Sequence, residues 1–249
     1  MTTALGIDIG GTGIKGARVD VNTGELVSER IKFETPEGGH PDDMREVVAT
    51  ILQQLDAKPT EPTGICFPAV VTHGITRSAA NVSPQWIDYP AEKQFAESLG
   101  RDIHFVNDAD AAGLAEVVFG AACGVSGLVI MVTLGTGIGT ALFIDGVLVP
   151  NTELGHLEID GVDAETRVSN AARERLGYDF PTWGTHLTRY FSHLEMLFSP
   201  DLFIIGGGIS KQHEEFFSFI DIQTPLQPAR LLNNAGIVGA ALLGSRHLA

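Results

Sequence analysis

A short polar segment follows an apolar, strand-like segment near the middle of the chain. The stretch FVNDADAA places Asn107, Asp108 and Asp110 where a predicted strand gives way to small helix-forming residues. Asn and Asp are favoured N-caps of helices, so we expect Asn107 or Asp110 to have that structural role. In open α/β sheets, ligands bind at the carboxyl ends of the strands, where a carboxylate can accept a proton from a bound hydroxyl group. Asp108 is therefore the candidate general base, and we expect the Asn107 amide to hold the same substrate.

A glycine-rich segment near the start of the chain has the composition of an anion-binding turn. In IDIGGTGIKG, glycines let backbone N–H groups approach an anion closely, while a hydroxyl group and a cation stand beside them. A strand rather than a helix follows and G-x-x-x-x-G-K-[ST] is absent, so the segment is neither a dinucleotide fingerprint nor a Walker A loop. A plain Gly-rich hairpin is the alternative interpretation. The candidate anion-binding residues are Asp8, Gly10, Gly11, Thr12, Gly13 and Lys15.

The same turn sequence occurs a second time. Gly-Thr-Gly-Ile at residues 11–14 recurs at residues 135–138, and in both places it connects two predicted strands. Two such hairpins from two lobes can grip a chain of phosphates, which one hairpin alone cannot do. The repetition therefore favours phosphate binding over the plain hairpin.

Two other stretches offer groups that can bind a ligand. Gly207 and Gly208 follow an apolar strand and provide further backbone donors for a phosphate or nucleotide, although such a cluster alone is more often only a turn. In ELGHLEID, Glu153 and His156 are three residues apart and can address one small polyol. Glu158 nearby is interpreted as a solvated carboxylate.

Composition limits the classes of protein to consider. The chain has 249 residues, 44% of them hydrophobic, which is enough for one large domain or two compact lobes. The net charge of −15 would repel polyanions, so we expect no general binding to nucleic acid or membrane surfaces. The N-terminus has neither a basic stretch nor a cleavage-like site, which predicts a cytoplasmic protein. Cys66 and Cys123 are too few for a disulfide framework or a Cys-based zinc site.

The order of the predicted elements is that of an α/β protein with two related lobes. The chain begins with three strands, in ALGIDIG, GIKGARVDV and ELVSERIKFE. There follow a helix in PDDMREVVATILQQL, the strand GICFPAVV, the helix AEKQFAESLG, the strand DIHFVND and a helix in ADAAGLAEVVFGAA. After Gly127 the three-strand pattern begins again, and later come the helix LTRYFSHLEMLF, the strand LFIIGGGIS and a last helix in GIVGAALLGSRHL.

The repeat sets the predicted domain boundary. We assign residues 1–110 to an N-terminal lobe and residues 111–249 to a C-terminal lobe. The last helix, about residues 235–248, is expected to pack back on the N-terminal lobe. The stretch of residues 162–184 is interpreted as a mixture of loop and short helix.

In their order along the chain, these stretches resemble the ROK family of sugar kinases, which belongs to the actin-like and Hsp70-like ATPase superfamily. The matching motifs are DIGGTGIKG, NDADAAG, LGTGIGTAL, ELGH and GGG. Each motif is weak alone, but the ordered set is specific. Within the family, ELGHLEIDGVDAE, FSHLEMLFSPDLFIIGGGISK and NNAGIVGAA are most similar to bacterial polyphosphate glucokinases. The resemblance implies an actin-like fold of two lobes with a central cleft. It also implies a kinase that phosphorylates the 6-hydroxyl of glucose, and possibly that of mannose. The donor would be inorganic polyphosphate, ATP or both, used with Mg²⁺.

The resemblance also implies roles for individual residues. Asp108 would be the general base. The sugar-binding residues would be Asn81, Asn107, Asp108, Glu153 and His156, with Glu165 as a further candidate. The phosphate-binding residues would be Gly10, Gly11, Thr12, Gly13 and Lys15 in one lobe and Thr136 and Gly137 in the other. Many family members carry a zinc-binding cysteine segment after the Gly-His pair, which is absent here, so we expect no zinc. A homodimer is expected from the family alone.

Three alternatives remain open. Residues 167–191 match the polyphosphate enzymes poorly, so an ATP-only hexose kinase is one of them. Arg167, Arg173 and Arg175 form a local basic cluster that either guides a polyanion or is a solvated helix face. Sugar-sensing regulators of the family carry a DNA-binding module before the first strand, which we do not expect here because Asp8 is so near the start. A non-kinase actin-like ATPase would not need the sugar-binding residues.

Overall fold

The computed structural model describes residues 2–79 and 82–247 and divides the chain into two compact units. The first unit comprises Met1–Ala115 and Asn234–Ala249, and the second comprises Glu116–Asn233. The sequence-based boundary lay near residue 110, so residues 111–115 fall in the first unit. The last helix belongs to the first unit as well.

The strands are β1 (Thr3–Ile9), β2 (Gly13–Asp20), β3 (Ile31–Glu34), β4 (Thr63–Phe67), β5 (Val71–Thr72), β6 (Ile75–Thr76), β7 (His104–Asn107), β8 (Leu128–Leu134), β9 (Ile138–Ile144), β10 (Val147–Val149), β11 (Glu158–Ile159), β12 (Val162–Asp163), β13 (Leu202–Gly206) and β14 (Leu226–Pro228). The helices are α1 (Pro41–Gln54), α2 (Ala91–Leu99), α3 (Asp108–Phe119), α4 (Glu165–Val168), α5 (Asn170–Leu176), α6 (Phe180–Phe198), α7 (His213–Phe216) and α8 (Ala235–His247).

The first unit is built on a five-stranded sheet with the order β3-β2-β1-β4-β7. β1 is antiparallel to β2, and β2 to β3, whereas β1, β4 and β7 are parallel. Side chains alternate between the two faces of a strand. On one face, apolar residues of β1, β4 and β7 pack with α1, α2 and their flanking loops around four aromatic rings. These rings belong to Phe67, Trp86, Phe95 and Phe105.

The other face of this sheet carries α8, which packs on β1 and β4 at very short range. A side chain on Gly6 would collide with the main-chain carbonyl of Ile237, and one on Gly64 with that of Ala240. Because neither strand has a Cβ at these positions, the helix backbone lies directly on the sheet.

The second unit repeats this strand arrangement. Its sheet has the order β10-β9-β8-β13-β14, in which β8, β9 and β10 are antiparallel neighbours and β8, β13 and β14 are parallel. The helix α6 packs its apolar face into the core of this unit. That core includes Ile130, Val132, Trp183, Leu187, Phe191, Phe203 and Phe216.

Three details of the secondary structure differ from the sequence-based expectation. The helix predicted from Leu187 begins at Phe180, because the Asp179 side chain accepts a hydrogen bond from Thr182 N over 2.9 Å and Pro181 is tolerated in a first turn. The segment predicted as the third strand is regular only in β3, since the Ser28 hydroxyl replaces a strand partner for the Arg18 N–H. The short edge strand β14 was not predicted.

The remaining predicted elements appear close to their expected positions. Residues 162–184, interpreted as loop and short helix, contain β12, α4, α5 and the start of α6. Within residues 2–79 and 82–247, the helices include none that is long and apolar enough to cross a lipid bilayer.

Replacing Gly64 by alanine tests the close approach of α8. The new methyl group would collide with the Ala240 carbonyl, and overpacking of this kind costs about 1–3 kcal/mol. We expect Gly64→Ala to lower the free energy of unfolding by that amount in urea denaturation followed by circular dichroism. Gly135→Ala is the control, since an added methyl there meets no atom within 4 Å. A Gly64→Ala protein as stable as the wild type would contradict the packing described.

Candidate active site

Three side chains form a row across the first sheet, at the carboxyl end of β1. Asp8 is the cross-strand partner of Lys15 on β2 and of Cys66 on β4. Lys15 Nζ lies 3.2 Å from Asp8 Oδ2, and Cys66 Sγ donates to Asp8 Oδ1 over 3.7 Å. The first turn of α8 covers this row, since a Cβ on Gly236 would lie 3.1 Å from Asp8 Cγ. The Asp8 carboxylate is thus held by a cation, a thiol and a helix backbone.

The Cys66 thiol is a fixed hydrogen-bond donor. Cys66 is 0% exposed, and burial, together with the nearby carboxylates of Asp8 and Asp108, raises the pKa of its thiol well above the ordinary value. The thiol therefore stays protonated at neutral pH. Asp108 directly follows β7, the parallel neighbour of β4, so its carboxylate lies at the same edge of the sheet as Cys66.

Asn107 and Asp108 lie at the junction of β7 and α3. Asp108 is the first residue of α3 and is partly exposed, and its Oδ1 accepts a hydrogen bond from Ala109 N over 2.8 Å. Asn107 is only 7% exposed. Its Oδ1 accepts from Asp110 N and its Nδ2 donates to Ala69 O, both over 3.0 Å. Asn107 is therefore the N-cap of α3, and among residues 2–79 and 82–247 its amide group donates only to Ala69 O, which leaves its second hydrogen for a ligand.

Each Gly-Thr-Gly segment lies in a turn closed by a backbone hydrogen bond, but the two bonds span different numbers of residues. Between β1 and β2, Gly10 N donates to Gly13 O over 3.0 Å, and between β8 and β9, Gly135 N donates to Gly137 O over 3.0 Å. The threonine at each tip is exposed, and in the first turn Gly11 is exposed with it. Each unit thus presents one short, glycine-rich hairpin to solvent.

The second hairpin has two close neighbours within its unit. Glu165 Oε2 accepts a hydrogen bond from Ile138 N over 2.8 Å, and a side chain on Gly137 would collide with this carboxylate. Gly207 has a φ of +83°, and a side chain there would collide with the Leu134 carbonyl. The backbone at Gly207 and Gly208 is exposed. Glycine at 207 is therefore required at this edge of the second sheet, whereas a side chain at 137 would displace the Glu165 carboxylate.

Glu153, His156 and Glu165 come together in the second unit. Gly155 lets the turn that carries Glu153 and His156 lie against β9, because a side chain there would collide with the Ile138 carbonyl. Electrostatic effects of Glu153 and Glu165 on His156 show that the three groups are neighbours. The arrangement offers two carboxylates and an imidazole to one ligand, which suits a polyhydroxylated molecule.

Asp163 connects this group. Its Oδ2 lies 2.9 Å from His156 Nδ1, and its Oδ1 accepts from Glu165 N over 2.9 Å. The hairpin of β11 and β12 returns the chain to His156 through a turn at Asp160 and Gly161, both with positive φ. Asp163 therefore fixes the ring of His156 and the start of α4 at the same time.

The environment shifts two pKa values in this group. Although Glu153 as a whole is exposed, partial burial of its carboxyl group raises its pKa; His156 opposes that shift and Glu165 reinforces it. The hydrogen bond to Asp163 raises the pKa of His156 above 6.5, against the effect of burial and with help from Glu165. Both shifts favour the protonated forms of Glu153 and His156.

The structure brings together some of the sequence-predicted residues within each unit. In the first unit they are Asp8, Gly10, Gly11, Thr12, Gly13, Lys15, Asn107 and Asp108; in the second they are Thr136, Gly137, Glu153, His156, Glu165, Gly207 and Gly208. Asn81 lies outside the described residues. Sequence reasoning missed Asp163 and Cys66. The signal for Asp163 was its place in ELGHLEIDGVDAE, seven residues after His156 and two before Glu165.

The sequence is similar to that of known sugar kinases over most of its length. A family model described as the ROK family matches residues 4–175. A polyphosphate glucokinase of Mycobacterium tuberculosis is 44% identical over 239 residues, which cover 96% of this chain and 89% of that protein.

Two crystal structures share the fold. That of an inorganic polyphosphate/ATP-glucomannokinase from Arthrobacter sp. strain KM is 49% identical with a TM-score of 0.93, and the match covers 99% of this chain and 100% of the other. That of a ROK family glucokinase from Streptomyces griseus, in complex with glucose and AMPPNP, is 23% identical with a TM-score of 0.83 and coverage of 98% and 99%. The predicted α/β, actin-like ATPase fold class is confirmed.

The ion pair of His156 and Asp163 generates a pH-dependent prediction. Asp163→Asn removes the carboxylate that raises the pKa of His156, so we expect this pKa to fall toward 6.5 in an NMR titration of the histidine ring protons. Asp160→Asn is the matched control, because Asp160 lies in the same hairpin but pairs with Arg189 at 2.8 Å.

The same pair should affect stability with a defined sign. A histidine whose pKa is raised in the folded state stabilises it fully below 6.5, and this contribution is lost as pH rises through the folded-state pKa. Wild-type stability should therefore fall more over that window than the stability of Asp163→Asn. An unchanged pKa of His156 in Asp163→Asn would show that the pair does not form in solution.

Proposed function

Since the chain belongs to the ROK family, we propose that it is a glucokinase that transfers the terminal phosphoryl group of inorganic polyphosphate or ATP to the 6-hydroxyl of glucose. Mannose is proposed as a second acceptor. Relatives with 44% and 49% identity are named for these activities. The structural observation that carries the proposal is Asp108, a partly exposed carboxylate beside the row of Asp8, Lys15 and Cys66.

The acceptor chemistry follows from the position of Asp108. At the carboxyl end of β7, the partly exposed Asp108 carboxylate is placed to accept the proton from the sugar hydroxyl as the oxygen attacks phosphorus. The remaining Nδ2 hydrogen of Asn107 donates to the same sugar. Glu153, His156 and Glu165 bind other hydroxyls, and Asp163 holds His156 in the orientation required. Asn81 remains a proposed sugar ligand from the family resemblance.

Donor binding is assigned to the glycine turns and their neighbours. Gly10, Gly11, Thr12 and Gly13 form one phosphate-binding turn, and Thr136 and Gly137 form the other, supported by the shared Gly-Thr-Gly sequence and the exposed threonine at each tip. Gly207 and Gly208 supply further exposed backbone beside the second turn. Lys15 supplies the positive charge that compensates the transferred group. Such reactions depend on positioning and electrostatic stabilisation more than on covalent chemistry.

The residues present fit a magnesium ion. In phosphoryl-transfer sites Mg²⁺ is commonly held by one or two carboxylates, by water and by the phosphates of the substrate. Asp8, whose carboxylate is fixed at the end of β1, is the protein ligand we assign to it. When bound with the donor, the ion would neutralise charge on the phosphates.

The cluster of Arg167, Arg173 and Arg175 gives little support to polyphosphate binding, because two of its side chains have structural contacts. The Arg173 guanidinium lies 4.9 Å from the ring centre of Phe180 and 5.7 Å from that of Trp183, so it contributes to packing of the unit. Arg175 donates to the Thr166 carbonyl over 2.7 Å. An ATP-only hexose kinase therefore stays as the second candidate function.

A homodimer is proposed from the family resemblance alone. Neither nucleic acid nor a membrane has a place in the proposed reaction, and the net charge of −15 opposes both as general partners.

One assay tests the proposal directly. The purified full chain is incubated with Mg²⁺, glucose and either long-chain polyphosphate or ATP, and glucose 6-phosphate is measured, with mannose run in parallel. Turnover with both donors is expected. Turnover with ATP only would leave the hexose kinase alternative, and release of phosphate without need for sugar would favour a non-kinase ATPase.

Asp108→Asn tests the general base. The substitution keeps the side-chain shape and the Oδ1 that accepts from Ala109 N, but removes the proton acceptor. We expect kcat to fall roughly 10²-fold or more, with glucose affinity by calorimetry nearly unchanged. Asp102→Asn, at an exposed site just before β7, is the control. Near-normal turnover of Asp108→Asn would remove Asp108 from this role.

Lys15→Ala tests the donor side. Loss of the ammonium group that lies 3.2 Å from Asp8 should raise the donor KM and lower kcat, together about 10²-fold in kcat/KM, while glucose binding is retained. Lys93→Ala, an exposed lysine of α2, is the control. Loss of glucose affinity in Lys15→Ala, measured by calorimetry without donor, would instead place Lys15 at the sugar.

A further inference from the structure

A second group of polar side chains lies at the amino edge of the first sheet, away from the Asp8 row. Glu92 belongs to the first turn of α2, His104 begins β7 and His247 ends α8. Glu92 and His104 are partly buried and His247 is exposed. Each residue offers one ligand atom, and these three atoms lie within 4.8 Å of one another.

We propose that Glu92, His104 and His247 bind a divalent transition-metal ion such as Zn²⁺. Two imidazoles and a carboxylate are a ligand set that Zn²⁺, Co²⁺ and Ni²⁺ share. Ligand atoms at about 2.0–2.1 Å from a tetrahedral ion are about 3.3 Å apart, so a contraction of up to about 1.5 Å from the observed 4.8 Å closes the site. Because the His104 and His247 rings stack nearly parallel, the exposed His247 side chain must also rotate so that both rings direct a nitrogen at one ion. Water supplies the fourth ligand on the exposed side.

The two inner ligands are already held in position. Glu92 Oε2 accepts a hydrogen bond from Phe105 N over 3.0 Å, which orients the carboxylate from outside the site, as ligand-supporting groups do. His104 Nδ1 lies 3.3 Å from the same oxygen. Within the part of the chain that the structure describes, this solvent-inaccessible nitrogen makes no hydrogen bond. A buried nitrogen without a hydrogen bond is costly, and coordination to a cation would satisfy it.

The third ligand is adjacent to these two. The His104 and His247 rings stack with their centres 4.1 Å apart and their planes 15° apart. His247 therefore belongs to the same cluster of ligand atoms as Glu92 and His104.

The proposed zinc site lies at the opposite edge of the sheet from the site proposed for Mg²⁺, and its ion would have a structural role. β7 runs from His104 at the amino edge to Asn107 at the carboxyl edge, a separation of about 10 Å along the strand. α8 runs the opposite way, from Gly236 beside Asp8 to His247 at the proposed site. A metal ion there would fasten the end of α8 to α2 and β7 and stabilise the first unit.

Calorimetric titration of Zn²⁺ into the full chain, without a histidine tag and without phosphoryl donor, tests the proposal. We expect one high-affinity ion per chain and a rise in the thermal unfolding temperature with Zn²⁺. His247→Ala should weaken binding at least tenfold and abolish the rise in unfolding temperature. It should also leave turnover with Mg²⁺ unchanged in zinc-free buffer. His193→Ala, on α6 in the second unit, is the control and should bind Zn²⁺ as the wild type does.

A second variant and a spectroscopic measurement identify the ligands. Glu92→Gln keeps the size of the side chain and should also weaken Zn²⁺ binding at least tenfold. Bound Co²⁺ should show visible absorption bands that change in His247→Ala and not in His193→Ala. Zn²⁺ affinity and Co²⁺ spectra unaltered by both His247→Ala and Glu92→Gln would overturn the proposal.

Discussion

The contact of the α8 backbone with β1 and β4 is the constraint on which the first unit depends. Gly6 and Gly64 leave no side chain between strand and helix, and Gly239 likewise allows the Ala111 carbonyl to approach α8. The next residues on the same face of the strands are Asp8 and Cys66. Because the helix backbone lies so near, these two side chains are confined between Gly236 and Lys15. The position of the Asp8 carboxylate is thus a result of close packing at glycines.

In the second unit, Asp163 positions the candidate site residues, and it does so by hydrogen bonding rather than by close packing. One carboxylate orients His156 and begins α4 through the Glu165 N–H. Glu165 then reaches the glycine turn through Ile138 N, with Gly137 leaving the space. The proposed sugar-binding and donor-binding groups of this unit are therefore linked by one chain of contacts.

The sequence predicted local structure correctly where a residue type strongly favours one conformation or one hydrogen bond. The Gly-Thr-Gly turns form because glycine permits close turns, and a backbone hydrogen bond closes each of them. Asn107 caps α3 as an amide at a strand-to-helix junction commonly does. The start of α6 was placed seven residues late because Pro181 and Gly184 weaken a helical pattern that Asp179 and burial of Gly184 against Phe219 support in the folded unit.

The sequence by itself determined the repeated strand order, the two glycine turns, Asp108 at the end of a strand and the absence of a cysteine zinc segment, since each is a property of neighbouring residues. Only the tertiary structure decided which distant groups meet. Asp8 and Cys66 are 58 residues apart in the chain, and His104 and His247 come from a strand and from the last helix. Such pairs depend on the register of parallel strands and on the depth of helix packing. Neither is encoded in any single stretch, because both arise from contacts summed over the whole unit.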